Sequence, residues 1–307
     1  MTEQRCAVVA VLGAPNAGKS TLVNTLVGAK VAAVTQKVQT TRTQVRGIVM
    51  HDEVQLILID TPGVFAPKRR LDRAMVAAAW SAIEGADAIV HVVDAPAEIS
   101  EKGADKLAAQ DRATITKALA EREIDAILVL NKVDAIARPE LLKITTKIVE
   151  EGRYTDVFMV SAKKGEGVSD IARTLAERAP EGPWLFPEDQ IMDAPARVLA
   201  AEITREKAML RLHDELPYDL IVETEAWEER KDGSAKIDQT IFVARESQRK
   251  IAIGAKGATI KIIGEMARKE MEQAFDRRIH LFLHVKLRED WSEERALYQR
   301  LGLDYEA

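Results

Sequence analysis

The residues best suited to chemistry lie near the amino end. Gly13-Ala-Pro-Asn-Ala-Gly18-Lys19-Ser20 sits between an apolar run at 6–12 and a helical pattern opening at Thr21. That strand-to-helix setting is what a phosphate-binding loop requires. The glycines let backbone N–H groups of Gly13, Asn16, Ala17, Gly18 and the first helical residues, through Thr21, turn toward phosphate oxygens, and the helix N-terminus adds partial positive charge. Lys19 neutralises the β and γ phosphates, and the Ser20 hydroxyl is a Mg²⁺ ligand. The expected ligand is a nucleoside triphosphate.

The base is indicated further along. Asn131-Lys132-Val133-Asp134 follows a strand-like run at 126–130, and Asp134 can accept two parallel hydrogen bonds from the ring N–H and exocyclic amine of guanine. Adenine offers no such pair of donors on that edge, so the pair of bonds selects GTP and GDP. Ser161-Ala162-Lys163 ends another strand-like run at 157–160 and can direct a backbone N–H at the guanine carbonyl, at the strand end where open α/β sheets bind ligands. Asp60-Thr61-Pro62-Gly63 closes the apolar run at 54–59, with Asp60 placed to hold Mg²⁺ through a water and the Gly63 N–H placed to meet the γ-phosphate. In Gln39-Thr40-Thr41-Arg42, Thr41 is the candidate second hydroxyl ligand of Mg²⁺. Lys19, Thr41 and Gly63 thus converge on the reacting phosphate. Loss of that phosphate removes partners of both Thr41 and Gly63, releasing two loops together.

Positioning these groups takes a parallel sheet wrapped by helices. Strand-like and helical patterns alternate over 6–178, for example 88–93, then 105–123, then 126–130. The expected fold class is therefore an α/β P-loop GTPase domain over 1–180, mostly parallel sheet with helices on both faces. Residues 180–195 hold four prolines in sixteen positions and show neither period, which makes 181–195 a stiffened linker with Trp184 and Phe186 available for docking. Residues 196–307 then read as a smaller α+β domain: a helix at 196–212, two strands joined at Lys231-Asp232-Gly233-Ser234, a helical region, a strand at Ile279–Leu287 and a last helix. Within the helical region, Gly254-Ala-Lys256-Gly257 brackets a tight turn. A loop without Cβ atoms and with exposed N–H groups lets a phosphodiester backbone come close, as the Gly-x-x-Gly clamp of a KH domain does with single-stranded RNA. Two glycines three apart also make ordinary helix-to-helix turns, but 245–288 carries eleven Lys or Arg against five Asp or Glu in a chain of net charge −5. Lys250, Ile253, Gly254, Lys256, Gly257 and Lys261 are the candidate RNA-binding residues.

In order along the chain, Gly-x-Pro-Asn-x-Gly-Lys-Ser, Gln-Thr-Thr-Arg, Asp-Thr-Pro-Gly, Asn-Lys-x-Asp and Ser-Ala resemble the translation-factor-related GTPases, and within them the Era-type GTPases. The helix–strand–strand–helix–loop–helix–strand order of the second half is similar to the type II KH domain that this family joins to its GTPase domain. The resemblance spans nearly the whole chain. Val64 stands where many small GTPases carry a water-orienting Gln, and an aliphatic side chain cannot polarise water. The resemblance accordingly implies the hydrophobic-substituted group with slow intrinsic turnover. It also implies that a potassium ion could take the place of an arginine finger, with Asn16 as its ligand; the competing reading of Asn16 is a turn residue that fixes the loop. It further implies small-subunit ribosomal RNA near its 3′ end as partner and assistance in assembly of the small ribosomal subunit. The alternative is a constitutive RNA-binding scaffold whose GTPase domain serves regulation or membrane recruitment.

Composition excludes several classes. No run reaches the ~20 apolar residues that span a bilayer, and no N-terminal signal pattern precedes the phosphate loop. The single cysteine, Cys6, falls in a predicted strand and suits a reducing compartment. The expectation is a cytoplasmic monomer, with a peripheral contact at the inner face of the membrane left open. His280 and His284 alternate with core positions and lack a third ligand, Trp80 and Trp227 read as packing residues, and Lys68, Arg69, Arg70 and Arg73 as a basic stretch of the second mobile loop.

Overall fold

The computed structural model describes residues 4–35, 37, 40–42, 44–212, 216 and 219–307. Gln39 of the Gln-Thr-Thr-Arg motif lies outside them. The chain forms two compact units, one of 1–32, 41–193 and 298–307, the other of 33–40 and 194–297.

In the first unit, strands β1 (Arg5–Leu12), β2 (Val45–His51), β3 (Val54–Asp60), β4 (Ala88–Asp94), β5 (Ala126–Asn131) and β6 (Tyr154–Val160) form one sheet in the order β2-β3-β1-β4-β5-β6. All neighbours are parallel except β2, which runs antiparallel to β3 as an edge. The helices are α1 (Lys19–Val27), α2 (Arg70–Ser81), α3 (Gly103–Glu121), α4 (Arg138–Glu151) and α5 (Val168–Arg178). Because side chains alternate across a strand, β1 supplies Val9 and Val11 to one layer and Ala10 and Leu12 to the other. The first layer closes over Leu22, Val23, Ile171 and Leu175 of α1 and α5, the second over Ala79, Ile115 and Leu119 of α2 and α3. Burial on both faces explains why these strands read as continuous apolar runs. Every motif of the nucleotide site follows the carboxyl end of one of these strands or opens the helix after it, except Thr41, which precedes the antiparallel edge strand β2.

One sequence expectation changes in detail, and another gains its partners. Arg70 and Arg73 lie in α2, not in a loop, because the Asp72 carboxylate accepts the N–H groups of Lys68 and Arg69 and starts the helix there. The proline-rich stretch runs along β2 and β3 of the first unit. Buried Gln55 accepts the N–H groups of Leu185 and Phe186 (2.9 and 3.0 Å) and donates to the Phe186 carbonyl (2.8 Å), while Ile48 donates to the Ile191 carbonyl (2.9 Å). Proline removes competing conformers of the free chain, and side-chain amides supply partners that a ladder would otherwise provide.

In the second unit, α6 (Ala196–Arg211), β7 (Leu220–Glu229), β8 (Ala235–Val243), α7 (Glu246–Ile253), α8 (Ala258–Ala274) and β9 (Ile279–Leu287) follow in chain order. The sheet order is β7-β8-β9, antiparallel between β7 and β8 and parallel between β8 and β9. Ala208, Leu220, Ile241, Val243, Ala252, Ile263 and Val285 join the three helices to one face of the sheet. The chain ends in α9 (Arg295–Leu301) and a short tail whose Tyr305 packs edge-on against Tyr298.

Candidate functional site

The phosphate loop leaves β1 and enters α1 through Gly18, whose φ of +100° favours glycine; a Cβ there would lie 2.1 Å from the Asn131 amide nitrogen. Lys19 is buried, and its ammonium donates to the carbonyls of Gly13 and Ala14, at 3.0 Å each. Burial pulls its pKa down to about 8, opposed by the Asp60 carboxylate. A lysine so held is desolvated before a phosphate arrives, which makes a phosphate anion a strong competitor for it.

Ser20 at the head of α1, Thr41, and Asp60 at the end of β3 come together. Ser20 Oγ lies 2.9 Å from Thr41 Oγ1 and 2.7 Å from Asp60 Oδ2, and Thr41 Oγ1 lies 3.2 Å from the same carboxylate oxygen. Burial lifts the Asp60 pKa to about 6, against the opposing effects of the Ser20 hydroxyl, Lys19 and Thr41. Its Oδ1 is buried with no partner among the described residues. Three hard oxygen donors with one acceptor unused fit a hard divalent cation such as Mg²⁺, which when bound neutralises phosphate charge. Gly63 is packed against Pro15 of the phosphate loop, since a Cβ would stand 2.9 Å from Pro15 backbone atoms, and the next residue, Val64, donates its N–H to the Gly13 carbonyl (3.2 Å). The Val64 side chain is in the core.

The base end is cross-braced by Asn131. Its amide donates to the Ala17 carbonyl (2.9 Å), and its oxygen accepts the N–H groups of Lys132 (2.8 Å) and Ala162 (3.0 Å). One buried side chain thereby ties the phosphate loop to both base-recognition segments. Thr25 of α1 adds a bond to the Ala162 carbonyl (2.8 Å). Lys132 reaches over the loop to the Asn16 carbonyl (2.8 Å) and to Asp94 (2.5 Å). Asp134 is exposed in a short turn at Val133–Ala135, with Lys164 at 3.4 Å; the Ser161 hydroxyl and Lys164 hold its carboxyl below the usual range, so it is an anion and a pure acceptor. Lys163 is exposed beside it. Asp94 and Lys164 join this end of the site without a motif to announce them. Asp94 arrives by strand register, opposite Asn131 in the β4–β5 ladder, and Lys164 by the reach of its side chain to Asp134.

The loop in the second unit is built as its sequence suggests. Gly254 ends α7 at φ +75°, ψ 173°, a conformation reserved to glycine, and a Cβ would stand 2.2 Å from Thr259 Oγ1. Gly257, at φ +78°, opens α8. Lys250, Lys256 and Lys261 are exposed around the loop. Ile253 is half-buried and packed on the core, whereas Ile251, Ile262 and Met266 are the exposed apolar residues nearby. Ile262 and Met266 share one face of α8 by their four-residue spacing. Periodicity alone does not single out Ile251.

Trp80 lies under Arg122 (4.4 Å), and Trp227 packs edge-on against Phe275 (5.5 Å). Among the described residues no cluster of three His, Cys, Asp or Glu could hold a metal.

Comparison with known proteins agrees with this geometry. Residues 8–132 match the family described as 50S ribosome-binding GTPase, and 215–292 match the KH domain. The chain is 54% identical to GTPase Era of Caulobacter vibrioides over 99% of this chain and 98% of that protein, and 52% identical to GTPase Era of Maricaulis maris over 99% of both. A crystal structure of Era in complex with MgGDPNP and nucleotides 1506–1542 of 16S ribosomal RNA superposes with a TM-score of 0.83 at 35% identity, covering 97% of this chain and 99% of that one. An Aquifex aeolicus Era variant bound to GDP and AlF4⁻ gives the same values.

Proposed function

Because the chain belongs to the Era family of GTPases, we propose that it is a GTP-hydrolysing switch that binds small-subunit ribosomal RNA near its 3′ end and assists assembly of the small ribosomal subunit. The observation that carries this reading is the presence in one chain of two anion-binding devices: the Ser20–Thr41–Asp60 cluster beside a buried Lys19, and the Gly254–Gly257 loop ringed by exposed lysines. Residues 1–180 act as the GTPase domain, 181–195 as the linker and 196–307 as the RNA-binding domain. Mg²⁺ is held by Ser20 and Thr41 directly and by Asp60 through water, as the donor set favours.

Gly13, Asn16, Ala17, Gly18 and Thr21 contact phosphate with Lys19, and Gly63 meets the terminal one. Asn131, Lys132, Asp134, Ser161, Ala162 and Lys163 bound the base. RNA is gripped by Lys250, Gly254, Lys256, Gly257 and Lys261, with Ile253 supporting the loop from the core side.

Intrinsic hydrolysis is slow, since a core valine stands where a water-orienting side chain would be. Asn16 lies exposed at φ +63° on the loop rim, and its side chain is our candidate potassium ligand; equal hydrolysis rates in potassium and sodium buffers would remove that role. The proposal places the chain in the cytoplasm as a monomer, with any contact at the inner membrane face peripheral; among the described residues no helix is long and apolar enough to cross a bilayer. The deciding experiment is GTP turnover with and without a 3′-end fragment of small-subunit ribosomal RNA. A response of turnover supports a switch, and none supports a constitutive scaffold.

A further inference from the structure

Helix α6 turns a run of charged side chains inward. Arg205, Glu206 and Lys207, three consecutive residues, are all buried. Burying an ion pair costs desolvation that its own attraction seldom repays with a surplus, so such groups are better explained by what they hold in place than by stability.

What they hold can be followed atom by atom within the second unit. The Lys207 ammonium pairs with Glu206 Oε1 at 2.6 Å and with Glu270 of α8. The other oxygen of Glu206 accepts the N–H of Val34 at 2.9 Å. One residue back, the Arg205 guanidinium donates to the Thr40 carbonyl and to Glu202. Lys37 donates to the Leu212 carbonyl just beyond α6. Val34, Lys37 and Thr40 are therefore each held to α6 or to the residue just beyond it, and Thr40 is bonded covalently to Thr41, the candidate Mg²⁺ ligand. On the far side, Glu270 sits on the helix whose first residue follows Gly257, about 18 Å along it. A rigid helix transmits a displacement of its N-terminus to Glu270 with little loss.

We propose that Glu270, Lys207 and Glu206 form a positioning relay through which α8, carrying the Gly254–Gly257 loop at its head, sets the backbone at Val34, on the stretch that leads to Thr41, and with it the placement of Thr41. The proposal rests on the reading of the chain as an RNA-responsive GTPase and supplies its route. Glu206 is the branch point, because one of its oxygens pairs with Lys207 and the other accepts the Val34 N–H. A shift of α8 alters how Lys207 divides between two carboxylates, and the share left on Glu206 sets how strongly that group accepts the Val34 N–H. By linkage the effect runs equally in reverse, so nucleotide state alters RNA affinity by the same factor.

The experiment is hydrogen exchange of the 33–40 segment, with GTP turnover measured in parallel, on the full chain with and without a single-stranded 3′-end ribosomal RNA oligonucleotide. In the unaltered chain RNA is expected to change exchange of this segment about fivefold or more. Glu270→Gln keeps the shape and a polar contact to Lys207 but removes the charge. It is expected to cut that response to below about twofold while RNA affinity and basal turnover stay within about twofold. Lys207→Met, a second variant of similar length, should do the same, and Lys207→Arg should restore the response. A Glu270→Gln chain that keeps the full response overturns the relay and leaves the switch reading standing. A loss of response matched by an equal loss of RNA affinity also overturns it, in favour of a plain structural ion pair. No response in the unaltered chain overturns both.

Discussion

The nucleotide site and the proposed RNA loop are both candidates to bind phosphate, yet they are built in opposite ways. In the first unit the anion-facing groups are buried: Lys19 is 6% exposed, Asp60 0% and Asn131 3%. In the second, Lys250, Lys256 and Lys261 stand in solvent around a loop whose backbone carries the geometry. A small ligand must be told from close relatives, and buried polar groups do that because each is costly when left unmatched. A polymer is held by many weak contacts, and exposed cations contribute by releasing counterions without fixing a sequence. Mutations should therefore be severe and specific in the first site, mild and salt-dependent in the second.

The largest effect belongs to Lys19→Ala. Removing one partner of a buried charge contact costs about 2–5 kcal/mol. GTP affinity by calorimetry should fall accordingly, by about thirtyfold to a few thousandfold, while the circular dichroism spectrum is retained. Next is Asp134→Asn, expected to lower GTP affinity about a hundredfold. The amide presents a donor where guanine's amine needs an acceptor; xanthosine triphosphate, with an oxygen at that place, should gain. Equal losses for both nucleotides would contradict Asp134 as the purine selector.

At the RNA loop, Gly257→Asp is the cleaner test of the two glycines. Gly254 has backbone angles that no other residue adopts comfortably and a Cβ that would collide with Thr259, so any substitution there disturbs the fold. Gly257 has the milder left-handed conformation, and the nearest atom to a Cβ is 4.0 Å away. An added carboxylate should weaken binding of a single-stranded oligonucleotide about tenfold at low salt and leave GTP hydrolysis without RNA unchanged. A tenfold loss of basal turnover would erase the separation between the sites.

How much was readable beforehand follows the same division. The phosphate loop, Asp60, Asn131 and Asp134 are legible because each is a residue type fixed at a strand end, and apolar runs mark the strands. Asp94 and Lys164 were not, because they reach the site through ladder register and side-chain reach, which no local pattern encodes. Glu206 and Lys207 carry no local signal of burial; only their tertiary partners, Val34 and Glu270, place them inside. The docking of 181–193 on β2 and β3 was hinted at by Trp184 and Phe186, but the residue that makes it is Gln55, a polar residue inside an apolar strand. The start of α2 is hidden for a related reason: Asp72 caps it from inside a run of basic residues whose composition is that of a loop.

Behind the nucleotide site, β4 buries His91, with Nδ1 2.8 Å from the Tyr154 hydroxyl. Burial, with Arg112 and Lys19 nearby, drops its pKa to about 3. Between that value and the 6.5 of a free histidine the unfolded chain binds the proton and the folded chain does not. Stability conferred by neutral His91 is thus complete above 6.5 and lost as pH falls below it, by up to about 1.4 kcal/mol per unit. Asp111 and Asp60, both pushed up to about 6 by burial, run the other way, so total unfolding curves mix these groups with the histidine. The difference between His91→Asn and the unaltered chain, measured by urea unfolding at pH 7 and pH 5, isolates the histidine. The variant should lose less stability on acidification, and parallel curves would refute a neutral buried imidazole.

The smallest expected effect sharpens the comparison most. Lys256→Ala removes one exposed cation from the tip of the RNA loop, where Lys256 itself has φ +50°. No buried partner is left unmatched, so neither fold nor nucleotide affinity should respond. If the lysine neutralises one phosphate of a single strand, the slope of log affinity against log salt falls by about 0.7, and affinity at low salt drops only a few-fold. An unchanged slope would mean that the ammonium makes no phosphate contact and that the loop backbone alone grips the strand. A fall in GTP affinity of comparable size would mean the two sites share a charge environment, and the contrast between a buried selector and an exposed grip would fail at its simplest point.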